Sequence, residues 1–184
     1  DRIRKKVFLN EKKFVLKSNI YIITVPTPVY ANNKPDFRNL LSACKYVSKN
    51  LKNNDTVIIE STVSPGTVEG PCKKILNLKK INFNLCLSPE RINVGDKQHT
   101  LSNLVKVISS DTKAGLKICD EIYNKICKKV YKAKNIKTAE MAKIFENIQR
   151  DVNIALTNQG SVIANKLGIS FTDVLETCST KWNS

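Results

Sequence analysis

The chain has 184 residues, of which 41% are hydrophobic and 26% charged; this composition is typical of globular proteins and excludes a fibrous or disordered class. The length accommodates one ordinary domain, or one domain and part of a second. The net charge is +15, but the lysines are spread along the chain and only five residues are arginine. This distribution favours a generally cationic surface, which attracts anionic small substrates, over a dedicated nucleic-acid face.

The sequence gives no sign of export, membrane insertion or metal binding. No stretch approaches the roughly 18 apolar residues of a membrane span, and no apolar run follows the basic N-terminus, so we expect a cytoplasmic protein. The six cysteines contain no Cys-x-x-Cys pair and His99 is the single histidine, which disfavours a zinc site. Most cysteines are expected to be small buried apolar residues in a reducing compartment.

Three short apolar runs are predicted to be fully buried strands: residues 19–25, 56–60 and 83–87. Helical spacing of apolar residues predicts a helix over 36–51, capped by Asp36, and another from about residue 67 to 78. Strands that alternate with helices indicate a doubly wound α/β fold, whose parallel, Rossmann-like sheet is covered on both faces.

The rest of the chain is predicted to close this domain and begin a second one. A strand over 104–109, a helix over 113–127 and a short strand over 129–131 complete a first domain, for which we expect the bounds 1–134. One long helix from about Thr138 to Lys166, stopped by Gly168, and a helix over 171–178 begin a second domain, 135–184.

Polar, turn-forming segments follow all three buried strands. They are Pro26-Thr27-Pro28, Ser61-Thr62 and Ser88-Pro89-Glu90. Open parallel sheets bind ligands beyond the carboxyl ends of their strands, so the segments predict one shared binding rim. For any single segment the alternative is that these residues only terminate the strand, and the hydroxyl of Thr62 has the alternative role of a helix cap.

The sequence has no Gly-x-Gly-x-x-Gly turn, which normally binds the pyrophosphate of a dinucleotide after the first strand of such a sheet. None of its six glycines has that spacing. We therefore expect the second half of a dinucleotide-binding sheet, or else a sheet that binds another ligand.

Several polar residues are candidates for chemistry. Glu90 lies at a strand end, where a partly buried carboxylate can act as a general base, and Arg91 follows it. Lys143 and Asn147 are four residues apart on the long helix, so they project from one face and can together stabilise an oxyanion. Arg150 extends that polar stripe. The alternative for each is an ordinary hydrated loop or helix face.

Taken in order, four segments resemble the UDP-glucose/GDP-mannose dehydrogenase family. They are Val25-Pro26-Thr27-Pro28, Glu60-Ser61-Thr62-Val63-Ser64-Pro65-Gly66-Thr67, Ser88-Pro89-Glu90-Arg91-Ile92-Asn93-Val94-Gly95-Asp96-Lys97, and Ala139-Glu140-Met141-Ala142-Lys143 continued by Glu146-Asn147 and Arg150-Asp151-Val152-Asn153. The form Ser-Pro-Glu-Arg-Ile resembles the branch that acts on UDP-N-acetylhexosamines. Val94 agrees with that branch, since UDP-glucose enzymes carry a second glutamate there. The resemblance covers nearly the whole chain, but it is to the middle of the family.

The resemblance implies an NAD-dependent enzyme that oxidises C6 of a UDP-N-acetylhexosamine, or of UDP-glucose, to the uronic acid in two hydride transfers for polysaccharide precursor synthesis. In the family, the first hydride transfer gives an aldehyde, a cysteine captures it as a thiohemiacetal, the second transfer gives a thioester, and water hydrolyses the thioester to the acid. The resemblance places Pro26, Thr27, Ser61 and Thr62 near NAD, with Thr62 also catalytic. It makes Glu90 the base of the hydrolytic step, and Lys143 and Asn147 the stabilisers of oxyanions. It assigns substrate binding to Glu90, Arg91, Lys143, Asn147 and Arg150. It further implies a homodimer formed through the long helix, residues 138–167.

The family's nucleophilic cysteine matches none of the six cysteines here, so this segment alone is expected to be inactive. Three other interpretations stay open. A β-hydroxyacid dehydrogenase also carries a lysine and an asparagine four apart on a helix, although the Ser88 to Arg91 segment argues against it. The others are an inactive nucleotide-binding remnant and a basic nucleic-acid module.

Overall fold

The computed structural model describes residues 18–92, 95, 100 and 102–182. The chain forms two compact units, Asp1–Ile144 and Phe145–Ser184. The predicted helices and strands are present within a few residues of their expected bounds, with one exception. The helix predicted from about residue 67 to 78 is divided into a π-helical turn, a four-residue α-helix and a 3₁₀ turn, and the backbone at Gly70 is not helical. In chain order the elements are β1 (Ile20–Ile23), α1 (Arg38–Ser48), β2 (Thr56–Ile59), a π-helical turn (Val68–Cys72), α2 (Lys73–Leu76), a 3₁₀ turn (Asn77–Lys79), β3 (Asn84–Leu87), β4 (Val105–Ser110), α3 (Lys113–Tyr123), β5 (Lys129–Lys132), α4 (Ile136–Lys166) and α5 (Phe171–Ser179).

The five strands form one sheet in the spatial order β1-β2-β3-β4-β5. Strands β1, β2 and β3 are mutually parallel, and β4 is parallel to β5, but β3 and β4 are antiparallel. The predicted α/β fold and the parallel arrangement of the three buried strands are confirmed, and the whole sheet is mostly parallel with this one antiparallel junction. A parallel pair requires a crossover connection, usually a helix, and the described part of the chain between β3 and β4 contains none.

Every residue of β2 and β3 is buried, because helices cover both faces of these central strands. On one face Val57, Ile59, Leu85 and Leu87 pack with residues of α1, α2 and the first turn of α4. On the other face Ile58, Cys86 and Ile108 pack against Cys119 and Tyr123 of α3. Five of the six cysteines are buried and Cys178 is exposed, so the expected burial of most cysteines is confirmed.

Strand β1 departs from the predicted full burial. Tyr21 and Ile23 are buried, but Ile20 is 36% exposed and Ile22 48% exposed. Successive side chains of a strand point to opposite faces, and β1 is an edge strand of the sheet that the structure describes. Helix α1 therefore covers one face of β1, and no described element buries the other.

Asp36 acts at the start of α1, one residue before the cap position that Phe37 occupies. Its Oδ1 accepts hydrogen bonds from the backbone N–H of Arg38 at 2.9 Å and from Tyr30 Oη at 3.0 Å, and its Oδ2 pairs with Arg38 Nη2 at 2.6 Å. The Arg38 side chain and backbone hold the pKa of the Asp36 carboxyl well below its usual range.

A carboxyl group whose pKa is lower in the folded than in the unfolded state stabilises the fold at pH values above its unfolded-state pKa, which is about 3.9 for aspartate. This stabilisation is lost as the pH falls through the folded-state pKa. We therefore expect Asp36→Asn to lower the thermal unfolding midpoint of the full-length protein at pH 7. The difference in unfolding midpoint between the variant and the parent should narrow steadily below about pH 4. Thermal scans from pH 7 to pH 2.5 measure it, with Asp151→Asn on the exposed side of α4 as the control. A gap that is the same at pH 7 and pH 3 contradicts the assignment.

Gly115 lets α3 approach the sheet closely. A Cβ at this position would lie 2.8 Å from Asn84 Cβ and 2.9 Å from Cys86 Sγ, and closer still to Ser110 Oγ. An alanine gains about 1 kcal/mol of helix propensity, but overpacking of this kind costs about 1–3 kcal/mol. We expect Gly115→Ala to be net destabilising, by up to about 2 kcal/mol in chemical denaturation. Lys117→Ala, on the exposed face of α3, should change stability by less than about 0.5 kcal/mol.

The long helix α4 begins earlier than the sequence predicted. Asn135 Oδ1 accepts the backbone N–H of Thr138 at 2.8 Å, so an asparagine just before Ile136 satisfies an N–H of the first turn. Gly168 has a φ of +69°, and the predicted stop is thereby confirmed. Within the second unit Phe171 of α5 packs against Gly160 of α4, where a Cβ would approach its ring to 2.9 Å. None of the helices in the described residues combines the length and apolarity needed to span a bilayer.

Candidate functional site

A cavity of about 380 Å³ lies beyond the carboxyl ends of β1 and β2, and we call it the strand-tip pocket. Its lining residues come from all three predicted rim segments: Thr24, Val25, Pro26, Thr27, Glu60, Ser61, Thr62 and Glu90. The expectation that the three strand ends share one rim is thus met by the geometry. The volume falls at the lower end of the range, about 300–1,000 Å³, that small-molecule pockets occupy.

Two hydroxyls join the walls of this pocket. Thr27 Oγ1 donates to the carbonyl oxygen of Thr62 at 2.7 Å, and Ser61 Oγ donates to the carbonyl oxygen of Val25 at 2.6 Å. The loop after β1 is therefore tied to the loop after β2 from both sides. Each hydroxyl oxygen keeps acceptor capacity that a bound ligand can use.

Glu90 is anchored through one carboxylate oxygen. Its Oε1 accepts the backbone N–H of Arg91 at 2.7 Å and of Ile92 at 2.8 Å. Its Oε2 faces Lys106 Nζ at 3.7 Å, and the side chain is 43% exposed. This partial exposure at a pocket wall suits a group that exchanges protons with a ligand. Arg91, in contrast, donates from Nη1 to the carbonyl oxygen of Val105 at 2.9 Å.

Sequence reasoning missed three residues that are linked to Glu90, namely Lys106, Glu60 and Tyr123. Lys106 Nζ, on a side chain only 3% exposed, lies 3.3 Å from Glu60 Oε1 and 5.1 Å from the ring centroid of Tyr123. The Tyr123 hydroxyl donates to the same Glu60 oxygen. Burial, followed by the charge of Glu60, raises the pKa of Tyr123 far above its usual value. A signal existed in the sequence: strand alternation places Lys106 on the same face as the apolar Ile108.

Glu140 is a fourth missed residue, although it lies inside the last of the four segments that resemble the family. Its side chain is almost fully buried at the start of α4, and its two oxygens accept the backbone N–H of Gly66 at 2.5 Å and of Val68 at 2.9 Å. Burial raises the pKa of Glu140, and the two backbone donors partly offset this rise. The carboxylate therefore fastens the loop that follows Thr62 to the long helix.

The predicted residues of the long helix are divided between the two units. Lys143 belongs to the first unit and is half-buried, and it is not among the residues that line the strand-tip pocket. Asn147 and Arg150 belong to the second unit, where Arg150 Nη2 donates to Asn147 Oδ1 at 3.0 Å and both line a shallow cavity of about 360 Å³. Their roles remain predictions. Four residues of the Ser88 to Lys97 segment lie outside the described residues, namely Asn93, Val94, Asp96 and Lys97, and so does His99.

The family comparison decides the class of protein. Residues 4–127 match the NAD binding domain of the UDP-glucose/GDP-mannose dehydrogenase family, and residues 137–184 match the central domain of the same family. The chain belongs to this family. The resemblance that the four segments predicted is confirmed, and so is the NAD-binding character of the domain that carries the strand-tip pocket.

Individual members of the family are similar over most of the chain. It is 43% identical over 182 residues to a UDP-N-acetyl-D-glucosamine 6-dehydrogenase of Salmonella typhi, and 37% identical over 164 residues to a UDP-N-acetyl-D-mannosamine dehydrogenase of Methanocaldococcus jannaschii. These alignments cover 96% and 87% of this chain, but 43% and 38% of the relatives. The chain therefore spans less than half the length of these relatives.

Solved structures agree with the sequence relatives. The structure of a UDP-D-ManNAc dehydrogenase from Pyrococcus horikoshii superposes with a TM-score of 0.84 at 31% identity, over 91% of this chain and 41% of that one. The native structure of a UDP-N-acetyl-mannosamine dehydrogenase from Staphylococcus aureus gives a TM-score of 0.79 at 32% identity, over 91% of this chain and 42% of that one. The predicted α/β, Rossmann-like class is confirmed by these neighbours.

Proposed function

We propose that this chain is part of an NAD-dependent 6-dehydrogenase that oxidises the C6 alcohol of a UDP-N-acetylhexosamine to the uronic acid in two hydride transfers. The observation that carries the proposal is the strand-tip pocket, where hydroxyls from two strand ends meet a carboxylate from a third in an NAD-binding domain. Similarity to dehydrogenases named for UDP-N-acetylglucosamine and UDP-N-acetylmannosamine supports this substrate class over UDP-glucose.

The strand-tip pocket fits part of the cofactor. It lies beyond the carboxyl ends of parallel strands, where α/β sheets bind dinucleotides, and its walls offer the hydroxyls of Thr27, Ser61 and Thr62 beside Pro26. At about 380 Å³ it can enclose one end of NAD rather than the whole dinucleotide. When bound, NAD accepts the hydride from C6. The residues of this chain hold that end in place and exclude water from it.

Glu90 is proposed as the base of the hydrolytic step. Its Oε2 takes a proton from the attacking water while Oε1 stays anchored by two backbone N–H groups. Thr62 is proposed to position that water. Lys143 and Asn147 bind the substrate and stabilise oxyanions, as a cation and an amide on one helix face can. Arg91 and Arg150 complete the proposed substrate contacts.

We extend the proposal to a cytoplasmic homodimer that serves polysaccharide precursor synthesis and assembles through residues 138–167. Support comes from an apolar stripe on α4 with four-residue spacing, in which Ile148 is 50%, Val152 58% and Leu156 70% exposed. Faces of this kind mark association surfaces. Sedimentation equilibrium of the full-length protein should give twice the chain mass, and Leu156→Glu should shift it towards the monomer.

Substrate turnover by the full-length protein tests the proposed function. We expect NAD-dependent oxidation of UDP-N-acetylglucosamine or UDP-N-acetylmannosamine, with two NADH formed per uronic acid as two hydride transfers require. UDP-glucose and a β-hydroxyacid are the comparison substrates, each followed at 340 nm and by product mass. Turnover of the hydroxyacid with one NADH per product, or no turnover of any UDP-sugar, would overturn the proposal.

A further inference from the structure

A buried lysine lies directly behind the proposed base. An ammonium group removed from water is costly unless opposite charges compensate it, and the side chain of Lys106 is only 3% exposed. Its Nζ has carboxylate oxygens on two sides, Glu60 Oε1 at 3.3 Å and Glu90 Oε2 at 3.7 Å. We call these three residues the Glu60–Lys106–Glu90 bridge.

The direction of β4 brings this lysine to the strand ends. The antiparallel register pairs Cys86 with Ser110 and Leu87 with Ser109, and the same register continued beyond β3 sets Glu90 opposite Lys106. Contacts beyond the strand follow this path, because Ser88 Oγ donates to the carbonyl oxygen of Val107 at 2.9 Å. If β4 were parallel to β3, a residue near the start of β4 would lie beside the start of β3, at the opposite end of the strands from Glu90.

Each carboxylate of the bridge has a second anchor. Tyr123, itself buried, donates its hydroxyl to Glu60 Oε1. Backbone N–H groups hold Glu90 Oε1, which leaves Oε2 directed at the lysine. Glu60 and Glu90 both line the strand-tip pocket, whereas Lys106 lies behind them and does not. The lysine thus contacts both carboxylates from the protein side and leaves their other side to a ligand.

We propose that Lys106 is a positioning residue that fixes the carboxylate of Glu90 at the wall of the strand-tip pocket, with Glu60 as the second carboxylate of the bridge. The catalytic part of this proposal rests on the proposed function, because it concerns the base of that reaction. Charge-assisted contacts from a buried cation restrict the carboxylate to one orientation, and misplacement of a catalytic group by about 1 Å can cost a factor of about 100 in rate.

Kinetics of full-length variants test the catalytic part. Lys106→Met should lower kcat for the UDP-N-acetylhexosamine by roughly 100-fold, with KM little changed, because ground-state binding is not what the lysine supports. Lys106→Arg should recover much of the lost kcat. Lys117→Met, whose parent side chain is 80% exposed on α3, is the matched control and should behave like the parent. A kcat for Lys106→Met equal to that of the parent, or a loss that appears only in KM, would overturn the proposal.

Unfolding of the same proteins tests the bridge without any substrate. Lys106→Met leaves two neighbouring carboxylates without their cation, and Glu60→Gln leaves Lys106 with only the more distant carboxylate of Glu90. The double variant removes both members of the closer pair. Glu60→Gln and Lys106→Met should each lower the thermal midpoint, and the double variant should melt higher than the sum of the two losses predicts. Additive losses would contradict the bridge. If Lys106→Met does not fold, Glu60→Gln and Lys106→Arg provide the kcat comparison, and an unchanged kcat in Glu60→Gln counts against the proposal.

The two proposals fail in different ways. A parent protein that turns over no UDP-sugar overturns the proposed function, and the unfolding cycle then still decides whether the bridge exists. An active parent whose Lys106 variants keep the parent kcat overturns the positioning role alone.

Discussion

Glu90→Gln in the full-length protein is expected to lower kcat for the UDP-N-acetylhexosamine by about 10²–10⁴-fold, the usual contribution of a general base. The glutamine oxygen can still accept the backbone N–H groups that Oε1 now binds, so the local turn should persist. The variant loses the carboxylate that takes a proton in the hydrolytic step. Single-turnover kinetics should show that the thioester formed in the second oxidation accumulates, and that NADH is released before the acid.

The control is Glu69→Gln, at an exposed position of the π-helical turn. This variant should keep the parent kcat, and NAD affinity should be similar in all three proteins because neither change alters the Thr27 or Ser61 contacts. A Glu90→Gln protein that retains more than about a tenth of the parent kcat would remove Glu90 from the role of base.

Glu140→Ala is expected to cause the largest loss of stability, about 3 kcal/mol, because hydrogen bonds to a charged group contribute about 1.5–3 kcal/mol each and two are lost. The backbone N–H groups of Gly66 and Val68 would remain without their carboxylate partner. We also expect weaker NAD binding, because the same loop continues from Ser61 and Thr62 at the pocket. Urea denaturation and NAD titration of the full-length protein measure the two effects.

Glu140→Gln removes one of the two hydrogen bonds that are lost in Glu140→Ala. It keeps one acceptor oxygen, so its loss of stability should be about half that of the alanine variant. Glu121→Ala removes an exposed glutamate of α3 and should change stability by less than about 0.5 kcal/mol. Equal stability of the alanine variant and the parent would mean that the loop is held by other contacts.

The elements and the shared rim were predictable because each depends on short-range signals. Apolar runs such as Thr56–Ile59 identify buried strands, and parallel strands place their polar ends at one edge of a sheet. Thr27, Ser61 and Glu90 therefore met in one pocket as expected. The hydroxyl contacts between the loops were not predictable, because they depend on side-chain directions within turns.

The direction of β4 and the partners of Lys106 were not predictable, because they depend on a connection whose length and sequence fit either orientation. Once β4 is antiparallel to β3, a lysine in an apolar strand lies beside two carboxylates. The sequence alternation indicated that Lys106 was on the buried face, but not what it contacted. In the same way, the Glu140 motif indicated a family and not a buried carboxylate.

The half-exposed edge strand has a practical consequence for anyone who expresses residues 18–182 alone. Within the described residues the outer side of β1 hydrogen-bonds to no other strand, and Ile20 and Ile22 lie partly exposed beside it. Edge strands with free backbone groups and apolar side chains recruit further chains by strand addition. Such a preparation should precipitate as its concentration rises, and a lysine in place of Ile22 should keep it in solution longer.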